Sequence, residues 1–105
     1  MKFVIRTQHL ENYGAHDTDG KFASNNAYWK MKGGSDYIVQ GVDRIQDAIA
    51  FVAAKTMQNN IAWKEFPTEW LTHDEWEAHV LETCDDEYAQ FIFDSTVTLD
   101  PREAR

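Results

Sequence analysis

Two histidines and two aspartates near the start of the chain have the residue types of a metal site. His9 and His16 are followed by Asp17 and Asp19, and a catalytic zinc ion needs three protein ligands plus a position for water. The four side chains would meet only if the segment after His9 folded back over the first strand. Since His is also a common polar residue, the pattern favours ordinary surface histidines and no metal. The alternative is a small metal-dependent hydrolase or nuclease that uses these four residues.

The remaining residues capable of chemistry give weaker signals. His73 and His79 lack the i, i+4 spacing of a metal-binding helix. Cys84 is the only cysteine, so it can form neither an internal disulfide nor a cysteine-based zinc site. Gly33-Gly34 lacks the pattern of a phosphate-binding loop. The sequence therefore favours a protein that is not an enzyme and binds no cofactor, in a reducing compartment.

Charge is distributed unevenly along the chain. The formal net charge is -8; by counting charged side chains, residues 1–60 carry about +1 and residues 61–105 about -9. Nucleic acids and anionic membranes are both polyanions. We therefore expect no direct binding to either, and expect the C-terminal part to face a basic partner.

The acids after residue 70 are interleaved with aromatic residues. Asp74, Glu75 and Glu77 fall in the first turn of a predicted helix, where its macrodipole favours anions. Glu82 and the run 85–87 fall near the predicted end, where negative charge is unfavourable, and natural sequences tend to break local rules where function requires it. Trp and Tyr dominate the energetics of protein interfaces. The predicted partner-binding residues are Trp70, Trp76, Glu77, Glu82, Asp85, Asp86 and Glu87.

Two forms of this binding hypothesis remain open. In one, the carboxylates imitate the phosphates of DNA or RNA and occupy a nucleic-acid-binding groove of the partner. In the other, the surface docks on a basic patch through its tryptophans, and the charge speeds encounter. A self-assembling accessory protein, such as a homodimer, is a third alternative.

The elements that position these residues follow from local patterns. Lys2 to Leu10 alternates as a strand does, and two further strands around Gly33-Gly34 predict a β-hairpin. Residues 43–57 have helical spacing, with Asp43 as the expected cap. Thr72 and Glu75 form a capping box for a second helix, from His73 to about Cys84. A final strand is predicted over residues 88–99, and the competing interpretation continues the second helix to Phe93.

These elements predict an α+β fold: a mostly antiparallel sheet of four to five strands with two helices packed on one face. Residues 1–99 would form a single domain and 100–105 a frayed tail. The longest apolar run, Ala48–Ala54, is too short to cross a bilayer. The first 20 residues do not read as a secretory signal, so we expect a cytoplasmic protein.

One resemblance adds to this reading. The stretches RTQHLENYGAHD (Arg6–Asp17) and YWKMKGG (Tyr28–Gly34) resemble the opening of small acidic accessory proteins of tailed bacteriophages, over about a third of the chain. The resemblance implies an early-expressed protein in the bacterial host cytoplasm that inhibits or modulates a host protein, such as a component of a defence system. It assigns no functional residues.

Overall fold

One long strand, β1 (Lys2–Tyr13), runs through the middle of the sheet. The computed structural model describes residues 1–13, 28–59 and 63–104. Along one edge, β1 pairs antiparallel with β5 (Trp63–Thr72). Along the other it pairs antiparallel with both β2 (Tyr28–Met31) and β3 (Asp36–Gln40). The strand predicted from the alternation after Lys2 is confirmed, and its central place exposes its side chains to both faces of the sheet.

The hairpin predicted at Gly33-Gly34 is wrong. Instead of pairing with each other, β2 and β3 follow one another along the same edge of β1, with a register change between them. The residues between β2 and β3 also hydrogen-bond to β1. The Thr7 amide donates to the Ser35 carbonyl at 2.9 Å, and the His9 amide donates to the Gly33 carbonyl at 2.8 Å. Gly33 has a φ of 111°, and a Cβ on Gly34 would overlap the Thr7 carbonyl. The two glycines therefore form a bulge, not a turn.

Two short strands complete the sheet. β4 (Gln58–Asn59) pairs antiparallel with β5, and β6 (Val97–Leu99) pairs parallel with β3. The order across the sheet is β4-β5-β1-β3-β6, with β2 also on β1. The α+β class and the mostly antiparallel pairing are confirmed. Within the described residues the sheet has six strands, rather than four to five, and is mixed.

Helices cover both faces of the sheet, so the prediction of two helices on one face is wrong. The described residues form three: α1 (Ile45–Thr56), α2 (His73–Thr83) and α3 (Asp86–Ser95). α1 packs on the face that carries Ile5 and Val39, and α2 and α3 pack on the face that carries Val4 and Ile38. Neighbouring strand residues point to opposite faces. Because β1 and β3 are apolar on both faces, each face needs a cover.

The first helix agrees with the prediction except at its start. α1 lies within the predicted range 43–57, but the residue before it is Arg44, which makes no side-chain cap hydrogen bond. Asp43 therefore does not cap the helix. Ala48 and Val52 are buried against the sheet, which confirms the apolar face expected from their spacing.

The strand predicted over residues 88–99 is largely wrong, because most of that range is helical. The side chain of Asp85 accepts a hydrogen bond from the Tyr88 amide at 2.8 Å and caps α3. The competing interpretation, one continuous helix, is also wrong. Cys84 is in an extended conformation that ends α2, and only Val97–Leu99 forms a strand.

The C-terminal segment does not fray at Asp100. A 3-10 helix covers Pro101–Ala104, and Asp100 is 8% exposed. Arg102 binds its carboxylate through Nη2 at 2.7 Å and Nε at 3.0 Å, and the Gln40 amide donates to it at 3.3 Å. The hydrogen bonds from Arg102 hold the pKa of Asp100 well below its usual range. The hydrogen bond from Gln40 attaches this segment to the end of β3.

Candidate functional site

The outer side of α2 and α3 carries a concentrated negative charge. Residues 73–95 contain eight acids and neither Lys nor Arg, and all eight acids are exposed. Three arginines elsewhere, Arg6, Arg44 and Arg102, form ion pairs with other carboxylates. The eight exposed acids of residues 73–95 are called the α2–α3 acidic surface below: Asp74, Glu75, Glu77, Glu82, Asp85, Asp86, Glu87 and Asp94.

The helix boundary at Cys84 changes the interpretation of three predicted site residues. Asp85 is the cap of α3, and Asp86 and Glu87 lie in its first turn, where the macrodipole favours anions. The inference that these acids cost stability at a helix end is therefore wrong, because they stabilise the start of a new helix. Glu82 is the acid for which the inference holds, since it lies in the last turn of α2 and that turn contains no base.

Trp76 is a core residue, so the prediction that it anchors a partner is wrong. It is 1% exposed. Its ring meets Phe93 edge-on, with centroids 5.5 Å apart, and its Nε1 donates to the Asp36 carboxylate at 3.2 Å. The helical spacing of Trp76, Val80 and Cys84 already marked the inner side of α2. Trp76 fixes α2 to the sheet and is not available to a partner.

Trp70 is exposed but lies away from the predicted acids. Trp70 is 47% exposed. In the sheet it is the cross-strand partner of Ile5. Cross-strand partners point to the same face, and Ile5 lies on the face covered by α1. The structure therefore places Trp70 on the opposite face of the sheet from the α2–α3 acidic surface.

Three exposed apolar residues on α2 and α3 were missed as site candidates. Leu81 is 55%, Tyr88 56% and Phe91 63% exposed. The rings of Tyr88 and Phe91 stack, with centroids 6.2 Å apart and an interplanar angle of 19°. Their i, i+3 spacing was the available signal. The strand predicted over residues 88–99 hid this signal, because residues three apart in a strand point to opposite faces.

The residues of the predicted metal site are only partly described. His9 lies on β1, stacks on Trp63 at a centroid distance of 5.4 Å, and has its Nε2 3.5 Å from a Glu11 oxygen. His16, Asp17 and Asp19 lie outside the described residues. Among residues 1–13, 28–59 and 63–104, no group of three or more His, Cys, Asp or Glu could hold a metal ion. The metal-dependent alternative stays a prediction, to be tested by metal analysis of the purified protein.

A charged network crosses three strands on the sheet face beneath α2. Arg6 of β1 binds Asp36 of β3, with Nε–Oδ1 at 2.9 Å, and Glu69 of β5, with Nη1–Oε2 at 3.2 Å. The hydrogen bond to Asp36 is the largest cause that raises the pKa of Arg6. Because Trp76 also donates to Asp36, this network links α2 to the centre of the sheet.

A second polar network lies on the face covered by α1. The Thr7 hydroxyl donates to Glu65 Oε1 at 2.8 Å, and the Tyr37 hydroxyl donates to the same oxygen at 3.3 Å. Burial first, and then the Glu65 charge, raises the pKa of Tyr37. A phenol with a raised pKa is not a base near neutral pH. This network satisfies polar groups between strands rather than activating Tyr37.

Comparisons with known proteins add no further constraint. Protein-family models, curated proteins and solved structures all give no significant match to this chain. In the part of the chain that the structure describes, the helices are too short or too polar to cross a bilayer.

Proposed function

We propose that this chain is a non-enzymatic binding protein that docks on a basic surface of a partner protein through α2 and α3. One observation carries the proposal: eight exposed carboxylates share these two helices with exposed, stacked Tyr88 and Phe91, without a Lys or Arg in the segment. Aromatic residues are the usual centres of binding energy in interfaces, and charged residues their rim. In such an interface Tyr88 and Phe91 would form the apolar centre, and the carboxylates would form the rim.

The electrostatics set how such a complex behaves. Opposite charge on the partner would steer encounter and raise the association rate, whereas the buried aromatic contacts would set the lifetime. Exposed charges are screened over about 8 Å at physiological ionic strength. Binding should therefore weaken as salt rises, mainly through slower association.

The biological role that we propose is inhibition or modulation of a host protein in the cytoplasm of an infected bacterium. Its support is the resemblance of Arg6–Asp17 and Tyr28–Gly34 to accessory proteins of tailed bacteriophages. In the sharper form of the proposal, the partner binds DNA or RNA, and the carboxylates of α2 and α3 occupy the place of phosphates. Such a mimic would inherit the steep salt dependence of nucleic-acid binding.

Affinity capture from a bacterial lysate at low and high salt, with matched charge variants, tests the proposal. The test variant combines Glu77→Lys, Glu82→Lys and Glu87→Lys. The control makes the same change in charge outside α2 and α3, at exposed positions of the described chain: Asp43→Lys, Asp47→Lys and Glu103→Lys. We expect a basic partner to be captured at low salt by the wild type and by the control variant, and to be lost with the test variant.

The same experiment separates the two forms of the hypothesis. Competition by added DNA or RNA would support mimicry, and a captured partner that cannot bind nucleic acid would eliminate it. Equal loss of capture in both triple variants would contradict the assignment to α2 and α3, because net charge alone would then explain binding. Replacing Phe91 with Ala should raise the dissociation rate while leaving the salt dependence unchanged.

A further inference from the structure

A groove forms where both neighbours of β1 become irregular at the same level. On the β5 side the register shifts between Arg6 and Thr7, so Thr68 has no partner in β1. On the other side, the bulge at Gly33-Gly34 separates β2 from β3. Bulges bend strands, leave a residue unpaired, and are enriched beside binding sites. Here they open a groove of about 450 Å³.

The lining of this groove combines one apolar side chain with an excess of negative charge. Met31, on one wall, is 58% exposed. Among the described residues that line it, Arg6 carries a positive charge, and Asp36 and Glu69 carry negative charges. Both carboxylates raise the pKa of Arg6, so Arg6 stays paired with them. The groove therefore attracts a cation rather than an anion.

The two carboxylates differ in their capacity for another donor. Asp36 receives hydrogen bonds on both oxygens from Arg6 and a third from Trp76. Glu69 is bound by Arg6 through Oε2, and its side chain is 66% exposed. A carboxylate oxygen accepts more than one hydrogen bond. Glu69 is thus the acceptor in the groove best placed to meet an incoming group.

We propose that the groove receives an arginine side chain of the partner protein, an inference that rests on the proposed function and names a contact within it. The aliphatic stem of an arginine lies against Met31, as long basic side chains do on apolar surfaces. Its planar guanidinium donates to Glu69 and to the backbone of Thr68, the residue that the register of β5 with β1 skips, because its fork of donors serves two acceptors at once. A lysine ammonium lacks this fixed fork.

The groove lies next to α2 and α3, the helices of the proposed docking surface. Asp36 lines the groove and also accepts from Trp76 of α2, and with Ile92 and Ser95 of α3 it borders a second depression. A partner seated on α2 and α3 therefore reaches the groove without crossing to the other face of the sheet.

Titration of the full ¹⁵N-labelled chain with N-acetyl-arginine amide tests the groove directly. We expect saturable shifts of the Gly33, Gly34 and Thr68 amides. N-acetyl-citrulline amide, which has the same shape without the charge, should bind at least about tenfold more weakly. N-acetyl-lysine amide should bind a few-fold more weakly, on the order of threefold. Shifts that do not saturate, or equal binding of citrulline or lysine amide, would overturn the proposal.

Matched variants locate the site. Glu69→Gln should weaken binding of the arginine amide about tenfold, because it removes the charge that the guanidinium meets. Glu75→Gln, which removes an exposed carboxylate of α2, should leave it unchanged. Since Glu69 is exposed, the variant should keep the dispersed spectrum of the wild type. Equal effects of the two substitutions would place the arginine amide outside the groove.

The two proposals fail separately. If arginine amide does not bind while capture still depends on the acids of α2 and α3, the groove is wrong and the docking surface stands. If arginine amide binds at Glu69 while capture of the partner does not depend on the acids of α2 and α3, the assignment of the docking surface is wrong.

Discussion

The two faces of the sheet rest on the same strands but carry different kinds of helix. The buried side chains of α1 are small or medium, whereas α2 buries the large ring of Trp76, with Val80, Ala89 and Phe93 of the two helices in the same cluster. The charges differ as well. α1 carries Lys55, and Asp47 on it pairs with Arg44, whereas α2 and α3 carry acids but neither Lys nor Arg.

The comparison shows whether the charge of a helix matters for its packing on the sheet. α1 shows that this sheet can be covered by a helix of mixed charge. The unbalanced charge of α2 and α3 is therefore not a condition of the fold, although part of it stabilises helix starts. The exposed carboxylates and aromatic residues of α2 and α3 are therefore available for recognition.

The sharpest way to test the packing difference is to truncate one buried side chain on each face. Trp76→Ala should lower the free energy of unfolding by about 3–5 kcal/mol, since it removes a large buried ring. Val52→Ala, at an equally buried position of α1, should cost roughly 2 kcal/mol from two lost methyl groups and a small cavity. Urea unfolding followed by circular dichroism measures both. Equal losses of unfolding free energy in the two variants would contradict the larger contribution expected for Trp76.

Trp76→Phe gives a second measurement if the alanine variant does not fold. It keeps an aromatic ring but removes the donor to Asp36, and should cost about 1.5–3 kcal/mol, the range for a hydrogen bond to a charged group. A loss below about 0.5 kcal/mol would contradict the contribution assigned to this bond.

The ion pair between Asp100 and Arg102, outside both helical layers, predicts how the stability of the protein changes in acid. Asp100 is held by Arg102, and its pKa is lowered on folding. A lowered folded-state pKa adds stability that is complete above the unfolded value of about 3.9 and is lost as the pH falls toward the folded value. Asp100→Asn should therefore lower stability at pH 7 and reduce its loss between about pH 4 and pH 2.

Thermal unfolding between pH 7 and pH 2 checks this prediction, with Asp43→Asn as a control that removes one exposed charge. The control should follow the wild type. If Asp100→Asn shows the same decline as the wild type below pH 4, the ion pair contributes nothing to acid unfolding.

The caps of the helices differ between the faces and predict a smaller effect. Asp85→Ala should lower stability by about 1 kcal/mol because it removes the cap of α3, whereas Asp85→Asn should keep the cap. Arg44→Ala removes a side chain that does not cap α1, so it should change stability by less than about 0.5 kcal/mol. Chemical denaturation measures all three. A large loss with Asp85→Asn would mean that the charge, rather than the cap, stabilises α3.

The smallest expected effect has the opposite sign. Glu82 places negative charge in the last turn of α2, so Glu82→Gln should stabilise the protein by about 0.3–1 kcal/mol. The same substitution should weaken capture of the partner. Glu75→Gln, at the start of the helix, should be slightly destabilising by the same argument. Stability unchanged by Glu82→Gln would remove the last sign that the sequence retains an unfavourable acid.

Local signals predicted the parts of the fold that depend on neighbouring residues. The cap predicted at Thr72 is confirmed, because its hydroxyl accepts from the Glu75 amide at 3.2 Å, and α1 follows from its spacing. The range 88–99 failed because Phe91 and Phe93 fit a strand alternation while Ala89 and Ile92 fit a helix face, and short apolar runs do not separate the two.

The candidate sites were harder to predict because they depend on distant pairing. Gly33-Gly34 is compatible with a turn or a bulge, and the decision comes from β1 being long enough to pair with two strands on one edge. The unpaired position of Thr68 arises from register with β1, a segment far away in sequence. The acids of α2 and α3 were identified correctly as exposed, but their local role changed once α3 began at Asp86.

The parallel pairing of β6 with β3 has a consequence for synthesis on the ribosome. β3 is made early, yet its outer edge is covered by residues 97–99, and Gln40 at its end donates to the buried Asp100. While the chain is being translated, that edge stays open and able to pair with another nascent chain. The edge of β3 is therefore covered only after residues 97–99 have been translated, which makes the pairing of β6 a later step than the pairing of β3 with β1.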